Sequence, residues 1–133
     1  MQEMFYECKS LTSLDLSNWK TSEKLTNINR TFFGCSVLTS LDLGQFETKN
    51  ITDLSYLFNG CFSLKSINLL SFDTSIVSKM QYMFYQCYNL ESLDISNFDT
   101  AQVTRMDNMF GFCFSIKSLN LSTFDTNNVK NMT

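Results

Sequence analysis

An α/β solenoid, with a parallel β-sheet on one side and short α or 3-10 turns on the other, is the fold that three observations predict for this 133-residue chain. The five cysteines, Cys8, Cys35, Cys61, Cys87 and Cys113, recur at intervals of 27, 26, 26 and 26 residues. Aligned on them, the apolar residues fall into columns, for example Leu14, Leu41, Ile67, Leu93 and Leu119. Within each unit an apolar-polar alternation precedes a stretch whose apolar residues recur at spacings of three and four. Self-similarity at a fixed period of this length marks a stacked-repeat architecture. Ordering the backbone of one unit costs about as much as its few buried side chains return, so a unit does not fold alone and stacking supplies the difference.

Each element follows from its columns. Leu14-Asp15-Leu16 and its counterparts alternate as a half-buried strand does, and strands from successive units would lie about 4.8 Å apart. Val103, Met106, Met109, Phe110, Cys113 and Ile116 have the spacing of a short α or 3-10 helix. The Val103 to Met106 stretch equally fits a short second strand, which leaves a β-solenoid with two short strands per rung as the alternative. With no Pro and four Gly, the corners fall to Asn, Asp, Ser and Thr. Residues 1–133 read as one array of about five repeats, and Met1 and Met132 fall in the same column. The expectation is a piece of a longer array without polar capping units.

Composition narrows the function. Ten Lys+Arg against 13 Asp+Glu give a net charge of −3, and no basic run offers a footprint for nucleic acid or an anionic membrane. The absence of His removes a His general base, a His metal ligand and a Ser-His-Asp arrangement from this chain. Apolar runs are far shorter than the roughly 20 residues needed to cross a bilayer, so direct membrane insertion is not expected. No catalytic residue and no cofactor are assigned.

The pattern Leu11-x-x-Leu14-x-Leu16 is that of a leucine-rich-repeat strand. Met83-Phe84-Tyr85-Gln86-Cys87 followed by Leu90-Glu91-Ser92-Leu93-Asp94-Ile95-Ser96-Asn97-Phe98-Asp99-Thr100 resembles the BspA-like leucine-rich-repeat surface proteins, in five copies over essentially the whole chain. That resemblance implies secreted or cell-surface proteins with a binding role, adhesion to host matrix and cells, and a host or matrix protein as partner. The alternative is an intracellular leucine-rich-repeat interaction scaffold, since five thiols suit a reducing compartment. One departure matters. The Asn or Cys that ordinarily follows the strand is replaced by Trp19, Phe46, Phe72, Phe98 and Phe124, so the corner's backbone groups need another partner. The hydroxyls of Thr21, Thr48, Thr74, Thr100 and Thr126, two residues later, are expected to supply it.

Two surfaces are candidate binding sites. Asp15, Asp42, Asn68, Asp94 and Asn120 form an outward polar column on the strand face. It suits a polar or basic protein ligand, or equally a solvated face on which Asn relieves carboxylate repulsion. Phe62, Tyr88 and Phe114 each follow a cysteine where the first two copies have Lys9 and Ser36, and Tyr6, Phe33 and Tyr85 form a second partial column. The core does not demand rings that interrupt the repeat, and aromatics favour interfaces, although partial burial in the turn explains them as well. Asp73, Asp99 and Asp125 form a ladder too sparse for Ca²⁺, and no CxxC or His is present, so no metal is expected. The cysteines are expected to be buried, inert thiols, because parallel stacking aligns them without crossing.

Overall fold

The computed structural model describes residues 1–16 and 18–132. Each 26-residue unit lies against the next in register, and the backbone shows how. The N–H groups of Leu54, Tyr56, Phe58 and Gly60 donate to the carbonyls of Lys79, Gln81, Met83 and Tyr85 at 2.9, 3.1, 2.9 and 2.9 Å. One unit on, Met80, Tyr82, Phe84 and Gln86 donate to Arg105, Asp107, Met109 and Gly111 at 2.8, 3.0, 2.9 and 2.8 Å. The N–H groups between these stay within the unit. Met83, Tyr85 and Cys87 close onto the carbonyls of Met80, Tyr82 and Phe84 at 3.3, 3.3 and 3.1 Å.

This arrangement overturns the expected α/β architecture of leucine-rich-repeat type. No helix forms among the described residues. An α or 3-10 helix would direct every N–H four or three residues back along its own chain, whereas here every second one is given to the neighbouring unit. The backbone also forbids it. Tyr82 and Gln86 are left-handed, at φ 57° and 62°, and the same two columns carry Arg30 with Gly34, Tyr56 with Gly60, and Asn108 with Phe112. A positive φ at the third residue of a turn is what a type II turn requires. The three-and-four apolar spacing therefore records a run of overlapping turns, each closed by a bond three residues back, which periodicity alone does not distinguish from a helix.

The sheet is smaller than expected too. Strands β1 (Ser40–Asp42) and β2 (Ser66–Asn68) pair in parallel, with Leu41 opposite Ile67. Both central side chains point inward between exposed or half-buried neighbours, which is the alternation read from the sequence. The equivalent residues 92–94 keep that alternation without joining the sheet. The strands stop early because the next corner begins at once: the Gly44 N–H donates to Asp42 Oδ1 at 2.8 Å, and the Phe46 N–H closes a turn onto Leu43 at 2.9 Å. The alternative with two strands per rung fails for the same brevity. On that side, among the described residues, only isolated parallel bridges join Asp53 to Lys79, Lys79 to Arg105 and Arg105 to Asn131.

Columns of like side chains fill the interior. Phe5, Phe32, Phe58, Phe84 and Phe110 stack face to face with centroids 5.4, 5.7, 5.5 and 5.8 Å apart. Phe46 and Phe72 adjoin at 6.1 Å and are buried, as is Phe98, so the aromatic column after the strand lies in the core. Thr hydroxyls serve the corner as expected. Thr74 Oγ1 donates to the Asp99 carbonyl and accepts from the Asp99 N–H, both at 2.8 Å, and Thr100 does the same with Asp125 at 2.9 and 2.8 Å.

Candidate functional site

The strand-face column holds its corners. Asp42, Asn68, Asp94 and Asn120 each accept, through Oδ1, the N–H two residues on, at 2.8, 3.1, 3.0 and 3.0 Å. Asn68 Nδ2 also donates to Asp42 Oδ1 at 2.9 Å, joining two rungs. The Ser96 hydroxyl and N–H hold the Asp94 carboxyl below its ordinary pKa. Asp15 and Asp94 are exposed, like Asp42 and Asn120, and Asn68 is half-buried. The recurrence of Asp and Asn at these four positions is accounted for by Asx turns.

The aspartate ladder is built alike. Asp73, Asp99 and Asp125 accept the N–H groups of Ser75, Ala101 and Asn127 at 3.0, 2.9 and 2.9 Å. Among the described residues no group of three or more His, Cys, Asp or Glu could hold a metal ion. Nor is any helix among them long and apolar enough to cross a membrane.

The cysteines form an internal ladder of free thiols. Sγ of Cys35, Cys61, Cys87 and Cys113 donates to the carbonyls of Phe5, Phe32, Phe58 and Phe84 at 3.2, 3.2, 3.3 and 3.1 Å, each bond reaching back one unit. Burial pushes the Cys35 and Cys113 thiols up to about 11, and it holds those of Cys61 and Cys87 well above their ordinary value too. A thiol held protonated is a poor nucleophile.

The aromatic edge is more extensive than its three predicted members. Phe62, Tyr88 and Phe114 stack with centroids 5.0 and 5.6 Å apart and rings nearly parallel, and Phe114 is 74% exposed. Phe112 meets Phe114 edge-on at 5.7 Å, Tyr85 meets Phe112 at 5.2 Å, and Tyr82 meets Tyr85 at 5.1 Å. Tyr56 stacks on Tyr82 at 5.0 Å, and the Arg30 guanidinium caps Tyr56 at 4.8 Å. The structure thus joins the predicted column to Tyr85 and to three residues the sequence reading missed, Tyr56, Tyr82 and Phe112. The 26-residue spacing of Tyr56 and Tyr82 was the available signal. Tyr6 and Phe33, the other members of the second partial column, stack on each other at 5.0 Å.

The surface is not an accident of the core. Tyr56, Tyr82 and Phe112 occupy left-handed positions where other units place Glu3, Arg30, Asn108 or Gly, so packing does not require a ring there. A bulky residue at positive φ is strained. Gly111 gives the Tyr85 ring room, since a Cβ there would meet it at 2.8 Å.

No curated protein and no solved structure matches the chain. A repeat-family model matches twice, over residues 1–70 and again over residues 63–133, so the pair spans every unit. The chain belongs to the family described as "Mycoplasma protein of unknown function, DUF285".

Proposed function

We propose that the chain is a non-catalytic protein-binding module of a cell-surface or secreted protein, of the BspA-like kind, and that it attaches to host or matrix proteins through its aromatic edge. The observation that carries this reading is the connected run of rings from Phe62 through Tyr88, Phe114, Phe112 and Tyr85 to Tyr82 and Tyr56, partly exposed and not demanded by the core. Aromatic anchors contribute disproportionately to protein interfaces, because a rigid ring buries a large area at little conformational cost. The chain's mild negative charge and lack of His favour binding over nucleic-acid recognition or acid-base catalysis.

The test is a binding assay of the chain on immobilised extracellular-matrix proteins. Phe62→Ser and Phe114→Ser alter exposed rings, so each variant keeps its fold and loses about tenfold or more in affinity, the loss of one interface anchor. Asp94→Ala on the strand face is expected to bind like the parent chain. Equal binding by both ring variants would remove the aromatic edge from the account.

A second reading, an intracellular interaction scaffold, draws on the five free thiols, which fit a reducing compartment. Cys35, Cys61 and Cys87 are buried, however, and a shielded thiol also survives outside the cell.

A further inference from the structure

One ring is missing from the middle of the second aromatic column. Tyr6, Phe33, Asn59, Tyr85 and Gly111 hold equivalent places in successive units, so Asn59 stands between two ring-bearing positions. Phe33, Asn59 and Tyr85 all lie in inner units, with a further unit on either side of them. Phe33 stacks on Tyr6, on the side away from Asn59, at 5.0 Å and 9° from parallel. Tyr85 lies against Gly111, on its own side away from Asn59, with a ring carbon 2.8 Å from where a Cβ would be. Successive units lie about 4.8 Å apart, so the two ring-bearing positions are about 10 Å apart, with only the shorter Asn59 side chain between them.

The slot has fixed walls and a polar floor. Tyr56 and Phe62 flank Asn59 within its own unit, each held by the ring of the next unit, Tyr82 and Tyr88, at 5.0 Å. Gly60 adds no side chain beside Asn59, and a Cβ there would come within 3.7 Å of the Phe62 ring. Asn59 is 7% exposed, yet its amide makes no hydrogen bond among the described residues. A side-chain amide offers two N–H donors and an acceptor oxygen, and leaving them unmet in a buried place is costly.

We infer that this slot receives a tyrosine side chain of the partner protein, entering hydroxyl first between Phe33 and Tyr85 and hydrogen-bonding to the Asn59 amide. The inference rests on the proposed role of the aromatic edge in binding a protein, and it names the group that the edge takes. The entering ring supplies the missing member of the column, about 5 Å from the ring on either side, within the range of favourable aromatic pairs. A phenol hydroxyl both donates and accepts, which is what the amide lacks; a phenylalanine would fill the slot and leave the amide unmet. Tyrosine is also a favoured anchor where an interface presents a desolvated pocket.

Titration of the 133-residue chain with N-acetyl-tyrosinamide, followed by NMR at the Phe33 and Tyr85 rings, reads the result. The tyrosine amide is expected to shift both rings and to bind about fivefold more tightly than N-acetyl-phenylalaninamide, the worth of one hydrogen bond between neutral groups. Asn59→Leu keeps the slot and loses that preference. Asn59→Phe fills the slot with a ring of its own and abolishes binding of both probes, while unchanged shielding of the Cys61 and Cys87 thiols shows that the fold is kept. No shift at the two rings, equal binding of the two probes by the parent chain, or undiminished binding by Asn59→Phe would each overturn the proposal. Tighter binding of methyl β-glucoside than of the tyrosine amide would overturn it in favour of a sugar. The matrix-protein assay separates this proposal from the broader one. A chain that takes the tyrosine probe with the stated preference but no matrix protein keeps the slot and loses the adhesion reading, whereas one that binds matrix protein but not the probe loses the slot alone.

Discussion

The thiol of Cys61 donates to the Phe32 carbonyl one unit back while Phe58 stacks on Phe32, so a single position is fixed by its neighbours along the array. Burial raises the cysteine pKa values, and stability depends on pH accordingly. An unfolded thiol loses its proton near the ordinary 9.0, whereas Cys35 and Cys113 keep theirs to about 11 in the fold. The unfolded state then holds fewer protons, so the stability these groups contribute is fully present below about pH 9 and falls as pH rises toward 11. Urea titrations at neutral pH and at alkaline pH check this, and a flat profile would mean the thiols are accessible. Phe72, buried against Phe46, is expected to cost about 3–5 kcal/mol on substitution by alanine. A loss below about 1 kcal/mol in the same titration would place the ring outside the core. Gln81 carries a buried Oε1 that finds no hydrogen-bond partner among the described residues. Gln81→Met is therefore expected to raise stability by up to about 1 kcal/mol, since it removes an unsatisfied group at nearly equal volume.

At the scale of the element, the repeating turn is the unit that sequence periodicity concealed. The buried columns, the Thr hydroxyls and the Asp and Asn corners were legible because each is a residue type recurring at one position. The helical turns were not real, because spacings of three and four are shared by helices and by successive turns. Only backbone dihedrals separate them, and the residues at positive φ, from Glu7 to Gln86 and Phe112, carry no sequence mark of it. That column also contains Gly34 and Gly60, at φ 70° and 73°, which was the one local hint. A paired substitution tests the explanation. Gly60→Ala is expected to cost about 1–2 kcal/mol, the penalty of a Cβ in the left-handed region, since its nearest neighbour at 3.5 Å is an ordinary contact. Gln86→Gly in the same column is expected to raise stability by up to about 1 kcal/mol. Thermal or urea unfolding reads both, and equal effects of the same sign would contradict the assignment.

Across the whole molecule, like residues meet like at every level, and the proposed binding function draws on a place where the repetition is broken. The aromatic edge is such a place, and half of it was visible in advance because Phe62, Tyr88 and Phe114 depart from Lys9 and Ser36 in their column. Tyr56 and Tyr82 come from a column that opens with Glu3 and Arg30, and Phe112 from one that opens with Glu7 and Gly34, which conceals these three rings until the turns bring Tyr82 and Phe112 against Tyr85. Such a surface serves a protein partner only if the chain is displayed where that partner can reach it. An antibody raised against the 133-residue chain and applied to intact and permeabilised cells of its source measures that directly. Labelling of intact cells is the predicted result; labelling only after permeabilisation would contradict the surface-binding account and leave the intracellular scaffold.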